Sequence, residues 1–174
     1  VMALTAAMAI AGGSLYEAKA QTRAVLEIGA PAPEFRFTAV DGAKRRLSEF
    51  RGRAVMLWLF ATWCPSCIAA TAAIAENYQR LNAVGLQIIQ LKLYNNLGYL
   101  GPTTSEFAAR YAGPLATDAG WLWGDASRKG SYTYDPRAFP DIYFLIDKDG
   151  VLRDIDLTPH TTMDKILNFV GAGS

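Results

Sequence analysis

The chain is poor in the residues that most often hold metals: two cysteines and one histidine, His160, among 174 residues. Those three donors cannot fill a four-ligand Cys/His zinc site unless carboxylates or a second chain complete it, so no metal and no other cofactor is expected. Charge is also sparse and balanced. Only 19% of residues are charged, and 17 basic against 16 acidic side chains leave a formal net charge of +1. The densest basic run is Lys44-Arg45-Arg46, which beside Asp41-Gly42 reads as a solvated turn and strand edge. Nucleic acid is therefore not an expected partner. His160 follows Pro159 in a late loop and is expected to be an exposed polar residue.

What is present is a large apolar fraction, 51% of the chain. That supports one sizeable core in a chain too short for two comfortable domains. The expected organisation is a hydrophobic leading segment and linker over residues 1–23, followed by a single domain over residues 24–174. Val1 to Tyr16 carries no charged side chain and is followed by Ala18-Lys19-Ala20, which resembles a signal-type cleavage site. As a helix those residues span about 24 Å, short of the roughly 30 Å hydrocarbon core. An export signal or a trimmed membrane tether through residues 1–16 is the expectation, and it places the protein outside the reducing cytosol.

The two cysteines stand three positions apart, as Cys64-Pro65-Ser66-Cys67. Chance alone gives this separation in about 1% of placements, so the pair demands a chemical reason. Ala54 to Phe60 is an unbroken apolar run of strand length just upstream, and from Pro65 onward Ile68, Ala72, Ala75, Tyr78 and Leu81 recur at helical spacing. Cys64 thus falls at a strand-to-helix junction, with Pro65 in the first turn, where a missing N–H costs little. Free N–H groups and the helix dipole at that end stabilise a thiolate. One turn later Cys67 lies beside it. Cys64 is expected to be the nucleophile and Cys67 the thiol that resolves a mixed disulfide.

Around this motif the elements fall into a recognisable order. Phe35, Phe37 and Ala39 alternate with polar residues before Asp41-Gly42, which predicts a β-hairpin. Strands are expected at Leu86 to Leu93, Asp141 to Ile146 and Val151 to Ile155, with helices at Ser105 to Tyr111 and Thr161 to Val170. The result is an α/β fold, a mixed sheet with helices on both faces. Gly113 to Pro136, which holds Trp121, Trp123, Tyr132 and Tyr134, yields no assignment beyond core or cover for the active-site side.

The segment Trp58 to Cys67, WLFATWCPSC, resembles the active site of the thioredoxin superfamily, and more closely its AhpC/TSA-related, TlpA/ResA-like extracytoplasmic branch. The Ala32-Pro33-Glu34-Phe35 lead-in, Leu47 to Gly52, and Phe139 to Gly150 are similar to that branch in the same order, over roughly Ile28 to Val170. The resemblance implies a thioredoxin-like fold with an N-terminal hairpin extension, and thiol-disulfide exchange, most readily reduction, on protein thiols and disulfides, with a separate redox partner to recycle the pair. It also implies that Pro140 is the cis-proline facing the cysteines, preceded by Phe139, and that Trp63 walls the nucleophile. Pro65 and Ser66 complete the substrate-facing set. One extra residue separates the proline from the aromatic of the branch's P-x-x-F pattern.

Two departures bear on mechanism. The buried Asp that thioredoxins carry six residues before the first cysteine is replaced by Trp58, and the branch's Glu and Pro after the second cysteine give way to Ile68-Ala69-Ala70-Thr71-Ala72. Water, Glu76 or Asp125 is left to take the proton of Cys67. Among alternatives, a peroxiredoxin needs Thr or Ser three residues before the reactive cysteine and Pro four before that, where Ala61 and Leu57 stand. A copper-handling protein resembling Sco would space its cysteines four apart.

Overall fold

A computed structural model describes residues 26–171, so the expectations for the leading segment and its cleavage site lie outside the described residues. Among the described residues seven strands form one sheet: β1 (Arg36–Ala39), β2 (Lys44–Arg46), β3 (Val55–Phe60), β4 (Gln87–Lys92), β5 (Trp121–Ala126), β6 (Ile142–Ile146) and β7 (Leu152–Leu157). They lie in the order β2-β1-β5-β4-β3-β6-β7. β3, β4 and β5 run parallel, while β1, β2, β6 and β7 join antiparallel, giving the expected mixed sheet.

All six residues of β3 are buried, and alternation explains why its sequence is continuously apolar. Met56, Trp58 and Phe60 enter one core, while Val55, Leu57 and Leu59 enter the core on the opposite face. Helices α1 (Pro65–Ala83), α2 (Thr104–Tyr111) and α4 (Met163–Gly171) cover the first face through residues such as Ile74, Phe107 and Ile166. Helix α3 (Arg128–Tyr134) and the 3-10 turn Leu47–Phe50 cover the second through Tyr134, Leu47 and Phe50.

The predicted hairpin is β1 and β2, with Phe35, Phe37 and Ala39 buried. Its basic tip is a solvated edge, where Arg45 and Arg46 pair with Glu49. Two corrections concern detail. The buried face of α1 is Cys67, Ala70, Thr71, Ile74, Tyr78 and Leu81; of the expected stripe Tyr78 and Leu81 are buried and Ile68 and Ala75 pack partly buried on the core, while Ala72 is exposed, because alanine on every side of this helix leaves the apolar periodicity shallow. The unassigned segment holds β5 and α3, and Trp121, Trp123 and Tyr134 are core side chains, whereas Tyr132 is exposed.

Antiparallel pairing of β3 with β6 sets Leu59 opposite Ile142. The end of β3, which leads into the cysteines, therefore meets the residues that precede β6.

Candidate active site

Cys64 is the N-cap of α1, with extended backbone (φ −83°, ψ 117°), and Pro65 opens the helix. Its sulfur accepts a hydrogen bond from the Cys67 backbone N–H at 3.4 Å and lies 3.1 Å from Ser66 Oγ. N-terminal helical N–H groups have no intrahelical partner, so an anion at the cap satisfies them. Hydrogen bonding from the Cys67 side chain, then from Ser66 and the two backbone N–H groups, lowers the Cys64 thiol to about pKa 6 against the opposing effect of burial. Cys67 is fully buried, and that burial pushes its thiol strongly upward. One turn of helix thus carries one thiol drawn down and one pushed up from the ordinary value, both unbridged.

The approach to Cys64 is held by a residue the sequence did not single out. Asn95, Asn96 and Leu97 all have positive φ (51°, 50° and 60°) in the turn after β4. Asn96 is buried, its Oδ1 accepts the Thr62 N–H at 3.0 Å, and its Nδ2 donates to Thr62 Oγ1 at 2.9 Å and the Tyr99 carbonyl at 3.0 Å. Its own carbonyl accepts from Trp63 Nε1 at 2.9 Å. Trp63 is half-buried and packs on Tyr99, ring centroids 4.8 Å apart. Asparagine tolerates left-handed backbone better than most residues, which fits it for this clamp.

On the opposite side stands Asp141, also unforeseen. Its carboxylate and the two sulfurs lie within 4.8 Å of one another, and the residue is 1% exposed. Trp58 Nε1 donates to Oδ1 at 3.0 Å, while Oδ2 has no hydrogen-bond partner. Burial raises this carboxyl to about pKa 6. These three groups are the metal-capable cluster among the described residues, but they supply only three donors for a tetrahedral ion.

Pro140 does not have the expected form. No peptide bond among the described residues is cis. The extra residue in this chain places Asp141 at the entrance to β6, where its N–H donates to the Leu59 carbonyl at 3.2 Å and its carbonyl accepts from Thr158 at 2.8 Å. A proline at that entrance would have no N–H to give. Pro140 directly precedes Asp141. Phe139, before it, is 42% exposed and is tied by its N–H to Asp135 Oδ1 at 3.0 Å. Pro65 is exposed and Ser66 partly so, both beside the sulfurs.

Neither suggested proton acceptor adjoins the pair. Glu76 is exposed farther along α1, and Asp125 on β5 pairs with Lys92 at 3.1 Å and Thr104 at 2.5 Å. His160 is exposed.

Comparison with known proteins agrees with this geometry. Residues 28–121 match the AhpC/TSA family. The chain is 30% identical to the thiol-disulfide oxidoreductase ResA of Bacillus cereus over 145 residues, 83% of this chain and 78% of that protein. It is 32% identical to peroxiredoxin-2 of Bos taurus over 161 residues, 83% of this chain and 77% of that protein. Among solved structures, the thiol:disulfide interchange protein DsbE of Chlorobium tepidum superposes with a TM-score of 0.63 at 22% identity, covering 84% of this chain and 99% of that one. The fold is thioredoxin-like.

Proposed function

Because the chain belongs to the AhpC/TSA family and is a thiol-disulfide oxidoreductase of its ResA-like branch, we propose that it reduces disulfides of other proteins outside the cytoplasm. In this reading Cys64 attacks and Cys67 resolves. The Cys64 thiolate bonds to one sulfur of a substrate disulfide and expels the other as a thiolate. Cys67 then bonds to Cys64, the mixed disulfide breaks, and the substrate leaves with two electrons gained. The pair is left oxidised until a separate dithiol partner reduces it.

The observation that carries the reading is the contrast between two sulfurs one helical turn apart. Cys64 is capped by N–H groups and titrates near 6, and Cys67 is sealed and protonated. The resemblance to the thiol-disulfide oxidoreductase ResA, with a thiol lowered from its ordinary value, supports the reductive direction. Trp63, Pro65, Ser66, Phe139 and Pro140 are the substrate-facing residues in this proposal, with residues 24–174 as one domain and residues 1–16 as its export or tethering segment. The similarity to peroxiredoxin-2 raises a peroxidase reading, but Ala61 and Leu57 stand where that chemistry needs a hydroxyl and a proline.

Insulin-disulfide reduction by the Cys64→Ser variant tests the assignment. Activity should be abolished, and retained activity overturns it. A reduction potential near or below about −270 mV supports the direction, whereas one near about −120 mV makes the protein an oxidant.

A further inference from the structure

A resolving thiol that is fully buried must lose a proton before it can attack, and burial alone opposes that loss. Position 58, where a thioredoxin keeps a carboxylate, is a tryptophan. That tryptophan's Nε1–H holds Oδ1 of Asp141 at 3.0 Å, Oδ2 has no hydrogen-bond partner, and an oxygen of the carboxylate lies within 4.8 Å of both sulfurs, with Ser66 alongside. We propose that Asp141 is the proton acceptor for Cys67, the carboxylate absent from β3 being supplied instead from the entrance to β6. The inference rests on the reading that Cys67 resolves a mixed disulfide on Cys64.

Three features of the backbone fix this carboxylate in place. Asp141 has φ +78°, its N–H is bonded to Leu59, and its carbonyl is bonded to the Thr158 N–H. The titratable groups facing it are Cys64 and Cys67 of α1; β3 offers Trp58 and Leu59, α1 also Ser66, and the loop after β7 Thr158, none of which titrates. In the step itself, the Asp141 carboxylate takes the proton of the Cys67 thiol as its sulfur attacks Cys64. The Cys64–Cys67 bond forms, the bond from Cys64 to the substrate sulfur breaks, and the departing thiolate takes up a proton from Asp141 or water. Charge and electrons balance with no further reactant. A carboxyl raised toward neutrality suits this role, since a general base works best with a pKa near the working pH.

The test uses the reduced protein and 5,5′-dithiobis(2-nitrobenzoate), which releases one coloured thiolate when Cys64 attacks and a second when Cys67 resolves the adduct. Asp141→Asn keeps an oxygen for Trp58 and a residue type that accepts left-handed backbone. The expected result is a second release slowed about 10- to 100-fold with the first within about twofold of wild type. The wild-type second phase should rise with pH through about 6 and then level, and this inflection should vanish in Asp141→Asn and return in Asp141→Glu. An unchanged second phase, or a slowing that leaves the inflection in place, overturns the proposal. A first release that persists in Cys64→Ser would instead overturn the nucleophile assignment, so the two failures are distinguishable.

Discussion

Two stretches of chain converge on the same pair of sulfurs, and they are built on different principles. The β3–α1 junction is local: a buried strand, a proline, and a helix whose first N–H groups lie within four residues of Cys64. The Pro140-Asp141 approach to β6 is set by distant pairing, through bonds to Leu59, Trp58 and Thr158. The local stretch lowers the Cys64 thiol; the distant one brings the Asp141 carboxylate within 4.8 Å of both sulfurs. Reactivity is thus encoded beside the motif, and the proposed control of resolution is encoded by the fold around it.

The sharpest way to separate the two functions is Cys67→Ser. The local stretch is untouched, so attack by Cys64 should proceed, but the adduct cannot resolve. Turnover of insulin should fall by at least about 100-fold, and a one-to-one mixed disulfide should accumulate in the mass spectrum. Turnover without that adduct would break the division of labour.

Asn96→Ala tests a support of the local stretch itself. The Asn96 side chain satisfies the Thr62 N–H and hydroxyl and the Tyr99 carbonyl in a buried setting. Buried groups left unpaired cost about 1–3 kcal/mol each, and alanine also fits left-handed backbone poorly. Denaturant unfolding should show a loss of about 2–4 kcal/mol, with slower attack by Cys64. A loss below about 0.5 kcal/mol would mean that the turn does not clamp the motif.

Legibility in the sequence follows the same division. β3, α1 and the Cys64–Cys67 pair are readable because their signals are periodic or adjacent. β5 is weakly signalled because Gly124 interrupts a short run, and the glycine's reason is tertiary: a Cβ there would lie 2.5 Å from the Thr38 carbonyl on β1. α3 is obscured for a similar reason, since Gly130 lets the helix approach the Phe35 ring, which an added Cβ would meet at 2.7 Å. Asp141 is hard to read from sequence because its partners Leu59, Trp58 and Thr158 are distant in the chain. The available signal was the extra residue, together with an acid at the mouth of the otherwise apolar Ile142-Tyr143-Phe144-Leu145-Ile146.

The smallest expected effect concerns how finely the local stretch tunes Cys64. Ser66 Oγ lies 3.1 Å from its sulfur and is one of several hydrogen bonds holding the thiol near 6 instead of its ordinary 9. Removing a hydrogen bond to a charged group costs about 1.5–3 kcal/mol before neighbouring N–H groups and water compensate. Ser66→Ala should therefore raise the midpoint of iodoacetamide alkylation by about one pH unit, each unit being 1.36 kcal/mol. The sign follows from which state is stabilised. Hydrogen bonds to the thiolate lower the free energy of the reduced protein, so their loss weakens that form and makes the pair more reducing. The Cys67 N–H still caps the sulfur in this variant, so a midpoint well below 9 should persist. A midpoint at the ordinary thiol value would show that Ser66, not the helix terminus, carries the shift, while an unchanged midpoint would assign it wholly to the backbone and Cys67.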